Sequence, residues 1–515
     1  MHRILMITAL LALAACESAP SVVVDGETLL GKYLEDGKVA AFLGVPFAAP
    51  PVGDLRWRAP QPLSKKVKQR DVTEFEAACM QSMRILDWYR WMAVQFGGTE
   101  DYYDDLEVSE DCLYLNVWTP TRESAAKLPV MVWIHGGSNK SGWSYEPNYH
   151  GHKLARQDVI VVSVGYRQGV FGFFSHADMS PEEPVANFAY WDLVASLQWI
   201  HDNIEKFGGD PERVTLFGES AGAQNILALM FADSASGLFQ RGVLQSTAGF
   251  GRDRMSTLEG EQLRATELAS VFDLPAEGSL EALREIPADE LFAAYDATFS
   301  DYYHSPAVDG QLFTQRTWTA MHERGFGERQ LIIGTNKDEW YSSTAEDTSW
   351  EDVAAKAAED FGDGRAAAAL EIVKNETDPR RALDRLRTAA FMLCGAQHTA
   401  ATLTASGGDA WVYQFTRVRE GEAGAELGAY HGAEYPYVFG THDGYMVSSE
   451  IDLALQEDMQ SYWLEFARKG NPNSSATSNW PRYQAPELMV QELGDSVMTI
   501  ASPEPELCAL FEGGL

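Results

Sequence analysis

Phe207-Gly208-Gly209-Asp210-Pro211-Glu212-Arg213-Val214-Thr215-Leu216-Phe217-Gly218-Glu219-Ser220-Ala221-Gly222 is the stretch that decides the fold. Val214 to Phe217 reads as a short apolar strand running directly into G-x-S-x-G. In that context the motif describes a sharp strand-to-helix turn that lifts a serine hydroxyl above the edge of a sheet. Gly218 and Gly222 leave room that a Cβ would fill, because the backbone at such a turn is strained and closely approached. Ser220 is therefore the candidate nucleophile.

Working outward, unbroken apolar runs recur at Leu128–Ile134, Val159–Val164, Gly242–Gln245 and Gln330–Gly334. Runs without polar alternation belong to strands buried on both faces of a parallel sheet. Helix-like stretches such as Tyr190–Lys206 and Ala223–Ala232 lie between them. The alternation predicts an α/β fold, a central mostly parallel twisted sheet with helices on both faces. Residues 257–300 and 345–405 read as helical insertions capping that sheet, and residues 22–515 as one catalytic domain. The segment from Ile85 to Glu110 mixes aromatics with carboxylates and reads as a surface excursion. Its rings either hold a cation or pin an acidic loop, and the second reading is favoured.

A serine nucleophile needs a base, and the base needs a partner that fixes its tautomer. In this class of fold both follow the serine in the chain. His431 opens a glycine-containing loop, His431-Gly432-Ala433-Glu434, where an imidazole can project; His304 and His398 sit in less open contexts. Asp338 and Glu339 both follow the strand ending at Gly334, and spacing does not choose between them. Trp133-Ile134-His135-Gly136-Gly137-Ser138 follows another strand and has the form of a loop whose backbone N–H groups receive an oxyanion, with Ala221 N–H as a further donor.

Composition narrows the partners. The 515 residues carry Asp+Glu 75 against Lys+Arg 40, a net charge of −35. Such a surface repels nucleic acid and anionic membranes. No organic cofactor is implied, and no His/Cys spacing suggests a metal. Residues 1–15 read as a signal peptide, with His2 and Arg3 ahead of an apolar run too short to span a bilayer. Leu13-Ala14-Ala15-Cys16 is similar to a lipobox, so Cys16 is the candidate lipidation site, residues 16–21 a tether, and the cell envelope the expected location, with plain secretion as the alternative. Membrane contact is then through the lipid alone. With Cys16 set aside, four of the five cysteines remain and allow three pairings.

The chain resembles the type-B carboxylesterase/lipase family of α/β-hydrolases. The resemblance runs from about Val24 to Tyr483 and rests on Gly44-Val45-Pro46-Phe47-Ala48 through Trp57, on Glu110-Asp111-Cys112-Leu113-Tyr114-Leu115-Asn116-Val117-Trp118, on the elbow segment, and on Phe466-Ala467-Arg468-Lys469-Gly470-Asn471-Pro472. It implies a triad of Ser220, Glu339 and His431, oxyanion donors at Gly137, Ser138 and Ala221, and a supporting serine at Ser246. It also implies disulfides Cys79–Cys112 and Cys394–Cys508. The implied activity is hydrolysis of small-molecule carboxylic esters through an acyl-enzyme. A lipase acting on longer acyl chains, or a binding module that has kept the fold without the chemistry, are the alternatives. Ser138 departs from the family pattern, which has a third glycine there, and Trp340 stands where a smaller residue is common; both bear on substrate scope. The oligomeric state is not legible.

Overall fold

The computed structural model describes residues 19–63, 67–120, 126–247 and 255–512; the signal segment and Cys16 lie outside these residues. Its centre is an eleven-stranded sheet. In chain order the strands are β1 (Lys32–Leu34), β2 (Val39–Pro46), β3 (Tyr114–Thr119), β4 (Leu128–Ile134), β5 (Ile160–Val164), β6 (Gly209–Glu219), β7 (Arg241–Gln245), β8 (Gln330–Asn336), β9 (Asp409–Phe415), β10 (Met489–Leu493) and β11 (Val497–Ala501). Their spatial order is β11-β10-β9-β8-β7-β6-β4-β5-β3-β2-β1. The pairs from β5 through β4, β6, β7, β8 and β9 to β10 are parallel. Both edges finish in antiparallel pairs.

The unbroken apolar runs are explained by burial on two sides. Successive side chains of a strand point to opposite faces. Val130, Val132 and Ile134 of β4 enter one core, while Met131 and Trp133 enter the other. The same split divides Leu331 and Ile333 from Ile332 in β8, and Val412 from Trp411 and Tyr413 in β9. On one face helices Phe188–Asn203, Ala221–Leu229 and Cys394–Ala405 supply Leu193, Ile226 and Ala400. On the other, helix Glu450–Lys469 supplies Leu455, Met459, Trp463 and Phe466. Each fully buried aliphatic or aromatic side chain stabilises by about 1.5–3 kcal/mol, so the pattern holds its register strongly. The result is the α/β-hydrolase arrangement.

The expected strands fall where the apolar runs placed them, with different ends. The strand read as Val214–Phe217 begins five residues earlier, at Gly209, and carries an irregularity between Gly209 and Val214. Segment 85–110 is entered by a helix, Arg84–Gln95. Tyr102 and Tyr103 pack against Tyr445, and the Tyr103 and Tyr445 hydroxyls are 2.7 Å apart. Trp88 faces Tyr430, whereas Trp91 is exposed. Helices Leu258–Val271, Leu280–Glu285 and Ala288–Thr298 gather around one small core; Trp350–Phe361, Asp363–Val373 and Pro379–Thr388 gather around another. Two disulfides are closed, Cys79–Cys112 and Cys394–Cys508, the chemistry of an exported, oxidising compartment. Among the described residues no helix is long and apolar enough to cross a membrane.

Candidate active site

Open parallel sheets build their sites outside the carboxyl ends of the strands. Five neighbouring strands contribute here: β4 leads to the loop from His135, β6 to Ser220, β7 to Ser246, β8 to Glu339, and β9 to the segment bearing His431. Adjacent strands are about 4.8 Å apart, so residues more than two hundred positions apart in sequence meet above one edge.

Ser220 sits between β6 and helix Ala221–Leu229 with φ 53° and ψ −123°, a conformation costing of order 1–3 kcal/mol. Its amide donates to Gln245 O at 2.9 Å and its carbonyl accepts from Gln224 N at 3.0 Å, which holds the turn from both sides. The glycines are required by close approach. A Cβ on Gly218 would lie 2.5 Å from Ile134 O, and one on Gly222 would lie 2.6 Å from His135 O with Ile134 O closer still. A Cβ on Gly136 would be 3.1 Å from that of Ser220, so the β4 loop rests directly on the elbow.

That loop forms a tight turn in which Lys140 N and Ser141 N donate to Gly137 O at 3.1 and 3.2 Å. Gly137, Ser138 and Asn139 have φ of 99°, 61° and 56°. Left-handed backbone at Ser138 is strained in a way the family's glycine would not be. Among the described residues, no acceptor takes the N–H of Gly137, Ser138 or Ala221, which leaves three donors for an oxyanion. The sequence reading did not single out the groups that clamp this turn. The Gln81 amide bonds both backbone groups of Gly142, donating to its O at 2.8 Å and accepting from its N at 2.6 Å. Arg84 donates to Gly137 O and Ser141 Oγ, each at 3.1 Å. Asn225, on the elbow helix, donates to Asn139 Oδ1 at 2.9 Å, tying the serine's helix to the turn. Gln81 and Arg84 lie close after Cys79 in a region without family signature, so no motif marked them.

Glu339 is buried, and its Oε1 accepts from Asn336 N at 2.7 Å. Its Oε2 meets His431 Nδ1 at 2.5 Å. A carboxylate only accepts, so Nδ1 carries the proton. Asp338, the rival in sequence, points the other way. It bonds Ala429 N at 2.8 Å and pairs with Arg381 Nη1 at 2.8 Å. Together with Asn336 Nδ2 donating to Tyr430 O at 2.7 Å, it staples the Glu339 loop to the His431 loop. Ser246 has φ 47° and its amide donates to Gly334 O at 2.8 Å. Its hydroxyl makes no hydrogen bond to Glu339 among the described residues.

The other face of the imidazole brings a residue the sequence reading quoted without giving a role. His431 Nε2 lies 3.0 Å from Glu219 Oε1, and no hydrogen bond joins it to the Ser220 hydroxyl among the described residues. Glu219 is itself held by the Tyr435 hydroxyl. Burial pulls the His431 pKa down, but the charges of Glu219 and Glu339 outweigh it and raise the imidazole well above its usual value. Beneath, Glu434 accepts from Asn336 Nδ2 at 2.6 Å and Gln245 Nε2 at 3.1 Å. Burial, then the Glu219 and Glu339 charges, push it up to about 7. Trp340 stacks on the His431 ring at 5.8 Å, 12° from parallel, and so walls one side of the imidazole.

A strained serine on an elbow, a loop of free N–H donors against it, and a carboxylate-bound imidazole alongside define a serine hydrolase of the α/β-hydrolase class. The model of the carboxylesterase family matches residues 18–508, and the chain belongs to that family. It is a carboxylic-ester hydrolase. The chain is 34% identical over 494 residues to para-nitrobenzyl esterase of Bacillus subtilis (strain 168), covering 92% of this chain and 95% of that one. It is 32% identical over 473 residues to fumonisin B1 esterase of Sphingopyxis macrogoltabida, covering 87% and 82%. A solved structure of a PNB esterase superposes with a TM-score of 0.82 at 30% identity, over 95% of this chain and 99% of that one.

Proposed function

We propose that the enzyme cleaves small-molecule carboxylic esters through an acyl-enzyme, with Ser220 as nucleophile, His431 as general base and Glu339 as its orienting acid. The observation that carries this is the 2.5 Å contact between Glu339 Oε2 and His431 Nδ1, on loops that converge beside the Ser220 turn. In the working cycle His431 loses its Nε2 proton and exchanges Glu219 for the Ser220 hydroxyl. Ser220 Oγ then attacks the carbonyl carbon while Nε2 takes its proton. Gly137, Ser138 and Ala221 N–H groups receive the oxyanion, each such donor being worth about 2.7–4 kcal/mol. The imidazolium next protonates the departing alcohol. Water, activated by the same ring, attacks the acyl carbon and releases the acid and free Ser220. Ser246 supports the β7 end beneath this group through its backbone.

The test is hydrolysis of p-nitrophenyl acetate and butyrate by the parent and by Ser220→Ala. Turnover lost in a folded variant is the expected result; turnover retained there removes Ser220 from the role. We further propose that residues 1–15 are a signal peptide and that Cys16 is lipidated, anchoring the enzyme in a bacterial envelope. The support is the apolar run ending in Leu13-Ala14-Ala15-Cys16, together with the disulfides. Palmitate labelling that persists in Cys16→Ala would rule out that anchor.

A further inference from the structure

The guanidinium of Arg84 touches the oxyanion turn at one particular peptide. Its Nη2 donates to Gly137 O and to Ser141 Oγ, each at 3.1 Å. Gly137 O belongs to the same peptide unit as the Ser138 N–H, one of the three donors given to the oxyanion. We propose that Arg84 is a positioning residue for the ester chemistry, whose charge stabilises the oxyanion through the Gly137–Ser138 peptide. This role rests on the reading of Ser220 as nucleophile and of Ser138 N–H as an oxyanion donor.

The first support is geometric. The peptide is planar and trans, so its C=O and N–H point in opposite directions. A guanidinium at the oxygen end therefore stands behind the N–H that faces the oxyanion. Gly137 O also accepts from Lys140 N and Ser141 N at 3.1 and 3.2 Å, so three donors draw electron density toward that oxygen. Hydrogen bonds in series strengthen one another by about 10–30% each, and a charged donor is roughly twice as strong as a neutral one. The guanidinium lies 3.1 Å from the carbonyl oxygen. Ordinary peptide and hydrogen-bond lengths beyond it put the oxyanion about 8 Å from Nη2.

The second support is that the charge is not neutralised at contact. Buried arginines of this chain carry a carboxylate each: Arg56 pairs with Glu110, Arg167 with Asp192 and Arg417 with Asp452. Among the described residues Arg84 has no such partner, and Asp296 acts on it only through space. The third is its place in the helix. Arg84 is the first residue of helix Arg84–Gln95, where a cation opposes the helix dipole. Helix stability therefore gives no reason for a cation at this position. The turn also has holds that do not involve Arg84, namely Gln81 on Gly142 and Asn225 on Asn139. Loss of the arginine thus removes the charge while those bonds remain.

The test is saturation kinetics on p-nitrophenyl acetate for the parent, Arg84→Ala, Arg84→Gln and Arg84→Lys, with a thermal melt of each. A unit charge at about 8 Å is worth roughly twofold in rate at the dielectric of water and roughly thirtyfold at an effective dielectric of 20. The expected loss of kcat in the alanine and glutamine variants is about tenfold, within that range. KM and the thermal midpoint stay near parental, and Arg84→Lys keeps more kcat than Arg84→Gln. Arg84→Ala is then assayed with guanidinium chloride at about 50 mM, far below the molar range that unfolds proteins, or with equimolar urea and NaCl. Guanidinium should restore kcat, because it returns the charge without the tether; urea has the same shape and no charge, and should not. Unchanged kcat in Arg84→Ala, or equal rescue by urea, overturns the proposal. So does a loss that guanidinium leaves unrepaired, with lysine no better than glutamine, since that marks a mechanical clamp. Should the alanine variant fail to fold, the lysine and glutamine variants decide alone. Turnover that survives Ser220→Ala removes the nucleophile reading itself; turnover that needs Ser220 and ignores the charge at position 84 removes only the role of Arg84.

Discussion

Gly222→Ala is the sharpest perturbation of the elbow. The added methyl group would stand 2.6 Å from His135 O and 2.8 Å from His135 C, with Ile134 O nearer than either. All three are backbone atoms at the carboxyl end of a fully buried strand, so they have no rotamer to change. To restore the ordinary 3.4 Å contact, the helix start must retreat by more than about 1 Å, and a misplacement of about 1 Å already costs about 10²-fold in rate. The retreat carries Ser220 and the Ala221 N–H with it, because they occupy the two preceding positions. Overpacking of this kind also destabilises by about 1–3 kcal/mol. The assay is kcat/KM on p-nitrophenyl acetate together with a thermal melt. Gly364→Ala is the control. Gly364 is exposed in helix Asp363–Val373, and a methyl group there meets nothing within 4 Å. It should gain about 0.5–1 kcal/mol of stability with activity unchanged. Near-parental activity and an unchanged midpoint in Gly222→Ala would refute the argument that close approach, and not chance, fixes that glycine.

Glu219→Gln should move the acid limb of the kcat/KM profile to lower pH. In the proposed mechanism His431 works only as neutral imidazole, and Glu219 is one of the two charges that raise its pKa; a limb that stays or moves upward would contradict the pairing. Gln81→Leu removes both partners of the buried Gly142 backbone. Each group left unpaired costs about 1–3 kcal/mol, and the loosened oxyanion turn should lower kcat more than it raises KM, an outcome read from full saturation curves. Ser138→Gly relieves a left-handed residue worth about 1 kcal/mol or more. It should also widen acceptance of bulky acyl groups over acetate, and unchanged selectivity across an acyl series would exclude crowding by this side chain.

The sequence by itself determined the sheet and its serine. Apolar runs such as Val130 to Ile134 and Leu331 to Ile333 encode two-sided burial, a local property that composition records residue by residue. The G-x-S-x-G turn is legible as a motif, although the atoms its glycines yield to, Ile134 O and His135 O, belong to the end of the neighbouring strand. His431 was only partly legible: the glycine-containing loop it opens set it apart from His304 and His398, the family pattern gave it a role, and spacing left Asp338 level with Glu339. Tertiary structure separates these two, because the loop after β8 turns Glu339 toward the imidazole and Asp338 toward Ala429 and Arg381. The same holds for the second carboxylate on the base and for the Gln81 and Arg84 clamps. Each depends on where loops from different strands end in space. That position is set by the order β9-β8-β7-β6-β4, in which neighbours are far apart in the chain, so no local pattern of residues can carry it.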